Sequence, residues 1–96
     1  MDEKMALLFK AMSDENRLKI LSLLLSGERC GCTLIDQLPI SQPTLSYHLK
    51  WLNKVGLTKS YKEGTWNKHE VDKEMLNRVI DYLIQLRDTE ESQCSL

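Results

Sequence analysis

The stretch that most constrains the fold is residues 41–56, SQPTLSYHLKWLNKVG. Ser41 is a suitable helix N-cap because its hydroxyl can accept a hydrogen bond from the first turn, where Pro43 is also well tolerated. Three leucines recur at helical spacing and predict a buried stripe: Leu45, Leu49 and Leu52. Gly56 follows the last turn and is a typical helix stop. The stretch therefore predicts one amphipathic helix.

The polar side of this helix carries side chains typical of a DNA recognition helix. Short hydrogen-bonding side chains lie near its start: Gln42, Thr44 and Ser46. This part of a recognition helix usually meets base edges in a major groove. Further along, Lys50 and Lys54 are suited to pair with phosphates. An amphipathic surface helix with a solvated polar face is the alternative at this point.

Length and composition suit one soluble domain over residues 1–96. The chain is 42% hydrophobic and 28% charged, which is typical of an ordered protein. It has no apolar run as long as a membrane span and no basic signal-peptide region at its start, so we expect a cytoplasmic protein without a membrane partner. No nucleophile with its base, phosphate-binding loop or carboxylate pair is evident, so we expect no enzymatic activity.

Charge is distributed unevenly along the chain. The formal net charge is −1, but residues 41–69 contain five lysines and one glutamate and so carry +4. Because the middle segment is basic and the two ends are acidic, contacts with phosphates are expected in the middle segment.

The residues that precede the recognition helix are predicted to form three helices. One is expected near residues 3–11, and a second begins after an N-cap at Ser13 and ends at Gly27. Four leucines are predicted to form the buried stripe of the second helix: Leu18, Leu21, Leu24 and Leu25. Arg17 on that helix is expected to be solvated. A short third helix makes residues 33–56 a helix-turn-helix.

Residues 57–71 predict a β-hairpin, because strand-favouring Thr, Tyr, Trp and Val flank a turn at Gly64. Three lysines would lie on this hairpin, Lys59, Lys62 and Lys68, and of these Lys62 and Lys68 are expected to contact DNA. A recognition helix followed directly by a basic hairpin is the winged-helix arrangement, in which the hairpin reaches along the DNA backbone or into a minor groove. The combination favours DNA binding over a solvated helix. His69 is expected to be exposed on this wing.

Asp72 is predicted to cap a final helix over residues 72–89, followed by a flexible polar tail at 90–96. Apolar residues recur along this helix at helical spacing: Met75, Leu76, Val79, Ile80, Leu83, Ile84 and Leu86. So small a domain leaves little core for this stripe to cover, which indicates a homodimer. The alternative is that the helix folds back on its own core. The fold expected is mainly α: about five helices and a two-stranded wing.

Cys30-Gly31-Cys32 is a second chemical feature. Two thiolates one residue apart can chelate a soft, thiophilic ion. Inside a regular helix they would point apart, since two residues span about 200° of rotation. The pair is therefore expected in the connector or in a distorted first turn of the third helix. Two alternatives stay open, a pair of small buried apolar residues and a redox switch, although a disulfide between cysteines this close would be strained.

Four stretches together resemble the ArsR/SmtB family of metal-responsive bacterial repressors: FKAMSDENRLKILSLLLSGE, RCGCTL, SQPTLSYHLKWLNKVGL and YKEGTWNKHEV. The resemblance covers nearly the whole chain. It implies a winged helix that dimerises through its first and last helices and represses a resistance operon by binding an inverted repeat in double-stranded DNA. It also implies base reading by Gln42, Thr44, Ser46 and Tyr47, although the family often has a basic residue or histidine in place of Tyr47. His48 is interpreted as a structural residue of the helix.

RCGCTL is similar to the cysteine motif of the arsenic-sensing members. The resemblance thus implies release from the operator when trivalent arsenic, As(III), or antimony, Sb(III), binds Cys30 and Cys32. Some members have a third cysteine where this chain has Ile35, so a third sulfur would come from Cys94 or from an outside thiol. The N-terminal cysteines common in cadmium and lead sensors are absent, as is a last-helix histidine for zinc or nickel. The alternative is a repressor of the same family without metal sensing, regulated by redox state, by a partner or by its own expression.

Overall fold

The structure is a computed structural model that describes residues 3–90. Within that range the chain forms five helices and one antiparallel hairpin. The elements are α1 (Glu3–Met12), α2 (Glu15–Leu25), α3 (Gly31–Asp36), α4 (Gln42–Lys54), β1 (Thr58–Glu63), β2 (Trp66–Val71) and α5 (Lys73–Arg87). This order is the predicted winged helix-turn-helix.

Side-chain oxygen atoms cap the first turn of three of the helices. The Ser41 hydroxyl accepts from the backbone N–H of Thr44 at 3.3 Å, and the Asp72 carboxylate accepts from that of Met75 at 3.1 Å. Both caps were predicted. At α2 the cap is Asp14 rather than Ser13. A carboxylate that accepts two backbone N–H groups there is a better match to the positive end of the helix than a neighbouring hydroxyl.

The core lies where α1 to α4 meet the start of the hairpin. Its largest fully buried side chains are Leu8, Ile20, Leu34, Leu45, Leu52 and Leu57. The leucine stripe predicted for α4 is buried as expected, which turns the opposite face of that helix outward. Gly56 then ends α4 with φ +87°, a conformation that costs little without a Cβ atom.

The buried face of α2 differs from the prediction. Leu18 and Leu25 are 49% and 45% exposed, whereas Ile20 is fully buried. Arg17, expected in solvent, is also buried. The other two leucines of the predicted stripe are buried as expected: Leu21 and Leu24. Apolar spacing along α2 could not show that a charged side chain of this helix finds buried partners on other helices.

The hairpin pairs Thr58 with Val71 at its base and Glu63 with Trp66 at its tip. Gly64 in the turn has φ +64°, as predicted for this position. The base of the hairpin lies against the helices, with β2 contacting α2 and α3 and β1 contacting α4. His69 is consequently buried, which contradicts its predicted exposure.

α5 packs on α1 through few side chains. Phe9 and Tyr82 bring their ring centroids within 5.9 Å, and Val79 is the buried residue of the helix. Four of the predicted stripe residues are at least 40% exposed: Ile80, Leu83, Ile84 and Leu86. The chain's own core therefore leaves most of this apolar face open. Among residues 3–90, no helix combines the length and apolar character needed to cross a membrane.

Candidate functional site

The outward face of α4 presents most of the side chains predicted to contact DNA. Gln42, Ser46, Tyr47 and Lys50 are exposed. Thr44 is half-buried, and its hydroxyl lies 2.9 Å from that of the Ser41 cap. On the hairpin Lys62 is exposed and Lys68 is half-buried.

A cleft of about 820 Å³ lies between α3, α4 and the hairpin. From α4 it is lined by Gln42, Ser46 and Lys50, and the facing hairpin contributes Trp66 and Asn67. We call this space the α4–wing cleft. Lys54 does not line it, because it lies on the other flank of α4 in a small groove with Leu7 and Trp51. Two of the predicted phosphate-binding lysines, Lys50 and Lys54, thus lie on different surfaces.

The two cysteines of the C-x-C motif line the same cleft at the first turn of α3. Cys30 is the N-cap of this helix, and its sulfur accepts from the backbone N–H of Cys32 at 3.3 Å. Cys30 is half-buried and Cys32 is exposed. Placement in the first turn of the third helix matches the prediction, and the two residues are not part of the apolar core.

The structure joins Cys30 and Cys32 in a disulfide, with their Cα atoms 5.2 Å apart. The sequence favoured free thiols, so this bond differs from the expectation. In the bonded state the sulfurs cannot act as thiolate ligands, whereas the reduced pair would offer two soft donors side by side. The bonded pair lines the α4–wing cleft.

The donor set around these sulfurs is small. Within residues 3–90, no three His, Cys, Asp or Glu side chains are grouped so that they could hold a metal ion. Ile35 lines the cleft beside the pair and adds no donor atom. Cys94, the predicted third ligand, lies outside the described residues. Within the described residues, the donors that the reduced motif would offer are therefore the two sulfurs of Cys30 and Cys32.

Comparison with known proteins identifies the family of this chain. The model of the bacterial regulatory protein family named arsR matches residues 14–60. An arsenical resistance operon repressor of Staphylococcus aureus is 34% identical over 92 residues, which cover 96% of this chain and 88% of the repressor. The chain belongs to the bacterial ArsR family of regulatory proteins.

Two further comparisons place this ArsR-family chain among regulators. An uncharacterized HTH-type transcriptional regulator of Methanocaldococcus jannaschii is 44% identical over 85 residues, covering 88% of this chain and 96% of the relative. The homodimeric winged helix-turn-helix DNA-binding domain of a possible ArsR-family regulator from Mycobacterium bovis has a TM-score of 0.70 and 25% identity, covering 93% and 89% of the two chains. Family and fold are those of DNA-binding transcriptional regulators.

The structure of this ArsR-family chain also reveals residues that the sequence did not single out. Trp66 is 57% exposed and lines the α4–wing cleft. Asn53 of α4 donates through Nδ2 to the Ser60 hydroxyl of β1 at 2.8 Å, and that hydroxyl lies 2.7 Å from Nδ1 of His69 in β2. Burial lowers the pKa of His69. Ser60 and His69 are register partners in the hairpin, so the predicted hairpin brings them close, but the sequence did not indicate that Asn53 of α4 would join them.

Proposed function

We propose that this chain is a homodimeric transcriptional repressor that leaves its operator when trivalent arsenic or antimony binds the thiolates of Cys30 and Cys32. One observation carries the proposal: the two sulfurs lie on the same cleft as Gln42 and Lys50 of the helix assigned to DNA. A ligand bound by the sulfurs is then adjacent to the DNA-reading surface. The similarity to an arsenical resistance operon repressor supports the choice of ligand.

In this proposal α4 enters the major groove and the hairpin lies along the neighbouring backbone. The base-reading side chains are Gln42, Thr44, Ser46 and Tyr47. The phosphate-binding side chains are Lys50, Lys54, Lys62 and Lys68. The +4 charge of residues 41–69 supports this surface, because sequence-independent attraction to phosphates supplies much of the affinity of such proteins. Lys54 is assigned to phosphates on the other flank of the helix.

A dimer follows from the apolar face of α5. Ile80, Leu83 and Leu86 are 44%, 49% and 55% exposed in the single chain, and a contiguous apolar face of this kind is usually covered by a partner. The homodimeric neighbour from Mycobacterium bovis supports a second copy as that partner. With two-fold symmetry the operator is an inverted repeat. The units are then residues 33–56 for the helix-turn-helix, 57–71 for the wing and 72–89 for the dimerisation helix.

Ligand binding uses the reduced pair, and each thiol loses its proton as its sulfur becomes a ligand. Cys30 Sγ is also the acceptor that caps α3, so ligand binding to this sulfur competes with the hydrogen bond from the Cys32 N–H. The first turn of α3 must adjust, and α3 is joined to α4 by a connector of a few residues. If the ligand favours an arrangement of α3 and α4 that DNA binding disfavours, ligand binding lowers the affinity of the protein for DNA. The third donor is Cys94 or an external thiol such as glutathione.

The test is fluorescence anisotropy of a labelled duplex from the protein's own promoter, with the protein fully reduced. Arsenite and antimonite are expected to raise the Kd about tenfold or more, a coupling of typical size, while zinc leaves it unchanged. The control is the double variant Cys30→Ser, Cys32→Ser, which should bind DNA and ignore arsenite. An unchanged Kd for the reduced parent protein would refute metalloid sensing.

The Cys30–Cys32 disulfide favours one second candidate, a repressor of the same family that senses oxidation. Forming this bond removes two electrons and two protons from the thiols, which glutathione disulfide can accept as it becomes two glutathione thiols. The same anisotropy assay separates the two functions. Release after equilibration with glutathione disulfide, together with indifference of the reduced protein to arsenite, would identify the redox regulator.

A further inference from the structure

The turn that carries the cysteines is attached to the hairpin as well as to α3. Cys30 forms an isolated β-bridge with Lys68, and the backbone N–H of His69 donates to the carbonyl of Arg29 at 2.7 Å. Residues 29 and 30 thus run beside β2 like a short additional strand. A change in the backbone conformation at the cysteines would therefore also displace β2.

The His69 side chain lies between this turn and the rest of the hairpin. Its ring is packed against Gly31, where an added Cβ atom would lie 3.5 Å from Nε2. The residue is 8% exposed, so the ring is held in place by protein rather than by solvent. On the other side of the ring, Nδ1 lies 2.7 Å from the Ser60 hydroxyl.

The direction of the hydrogen bonds follows from the groups available. The Thr58 hydroxyl donates to Oδ1 of Asn53, which orients the amide so that its Nδ2 faces Ser60. Because Ser60 Oγ accepts from Nδ2, its own proton is free to go to Nδ1 of His69. When Ser60 donates to Nδ1, the neutral ring carries its proton on Nε2, on the side facing Gly31.

We propose that Asn53, Ser60 and His69 form a relay that transmits the state of the Cys30–Cys32 pair to α4 through the hairpin. A movement of Gly31 displaces the ring packed on it, and the ring shifts Ser60 and with it the amide of Asn53. Asn53 lies on the same side of α4 as Lys50, at the α4–wing cleft. The relay rests on the proposed function in one respect, because the ligand at the cysteines is taken from it. The contacts within the relay are the same whichever ligand binds.

The competing route is the covalent one, from α3 through the connector of residues 37–41 into α4. That route contains none of the three relay side chains. Removing the Ser60 hydroxyl interrupts the relay at its middle and leaves the connector intact. Ser60 is exposed on β1, so Ser60→Ala has little effect on the core.

The experiment measures, for each variant, the ratio of operator Kd with arsenite to Kd without it. The variants are Ser60→Ala, the conservative Ser60→Thr, which keeps a hydroxyl, and Ser22→Ala, a matched control at an exposed position of α2. Equilibrium dialysis with arsenite confirms that all variants bind it equally. We expect a ratio of about ten or more for parent, Ser60→Thr and Ser22→Ala, falling below about three for Ser60→Ala. An equal ratio in Ser60→Ala and the parent would overturn the relay.

A second measurement tests the relay without any metalloid. The side-chain amide of Asn53 is followed in ¹H–¹⁵N spectra, assigned by its absence from Asn53→Ala, while glutathione disulfide converts the dithiol to the disulfide and is itself reduced to two thiols. We expect the Asn53 signals to shift in the parent and in Ser60→Thr, and to stay in place in Ser60→Ala. Signals unmoved in the parent, or moved equally in Ser60→Ala, would overturn the relay. If arsenite binds without affecting DNA but the Asn53 signals respond, the proposed function fails and the relay stands.

Discussion

Nη1 of Arg17 lies 3.2 Å from Nδ1 of His48 in the interior of the protein, and this contact links α2 to the recognition helix α4. Arg17 Nε also donates to the carbonyl of Ala11 at 2.6 Å, and the guanidinium lies 5.3 Å from the ring centroid of Trp51. A planar group with several donors can hold three helices at once in this way. The orientation of α4 therefore depends on a charge buried beneath it.

Replacing this arginine is expected to destabilise the fold. In Arg17→Met, the Ala11 carbonyl and His48 lose a buried partner, which costs about 2 kcal/mol or more of the free energy of unfolding. Lys19→Ala on the exposed side of the same helix is the control and should change it by less than about 0.5 kcal/mol. Urea unfolding measures both, and equal effects would mean that the buried contacts contribute nothing.

Breaking the apolar face of α5 is expected to separate the dimer. Leu83→Glu places a carboxylate at the centre of that face, whereas Gln85→Glu adds the same group at an exposed polar position. Burying an unpaired carboxylate in an interface is strongly unfavourable, so the first variant should be monomeric and the second dimeric. Sedimentation equilibrium distinguishes these states. A dimeric Leu83→Glu would place the interface elsewhere.

Removing a phosphate contact is expected to change the salt dependence of operator binding. Lys50→Ala should weaken binding and reduce the slope of log Kd against log salt by about one, since one fewer counterion is released. Lys19→Ala, on α2 away from the α4–wing cleft, serves as the matched control and should leave the slope unchanged. Anisotropy titrations between low and moderate salt give the slopes. Identical slopes for parent and Lys50→Ala would exclude Lys50 from the phosphate contacts.

The cap of α2 is expected to contribute stability that is lost in acid. The hydrogen bond from the Arg17 backbone N–H, with smaller contributions from His48 and the Asn16 N–H, holds the pKa of Asp14 below its ordinary value of 3.8. A lowered pKa in the folded state stabilises the protein above the unfolded value, and this contribution disappears as the pH falls through the folded value.

Asp14→Ala should therefore be less stable than the parent by about 1 kcal/mol at pH 7, and this difference should shrink below about pH 4. Asp14→Asn keeps a capping oxygen without the charge, so its stability relative to Asp14→Ala should not depend on pH in this range. Urea midpoints from pH 7 to pH 2.5 test both. A gap between parent and Asp14→Ala that is the same size at pH 2.5 as at pH 7 would contradict the assignment.

The sequence alone determined the elements and their order, because the signals for these are local. The Ser41 and Asp72 caps, the leucine stripe of α4 and the turn at Gly64 each depend on residues a few positions apart. These signals predicted a winged helix with an apolar last helix. Where two good capping residues adjoin at the start of α2, local chemistry was ambiguous, and the helix began one residue later than expected.

Only the tertiary structure decided which polar groups are buried and which side chains share a surface. Arg17 meets His48 from 31 positions away, and His69 is covered by the turn at Gly31. The same packing divided Lys50 from Lys54 and brought the cysteines to the cleft that Lys50 lines. Periodicity reports the faces of one element, whereas the burial of a charged or polar group depends on partners that other elements supply, and folding alone brings those partners together.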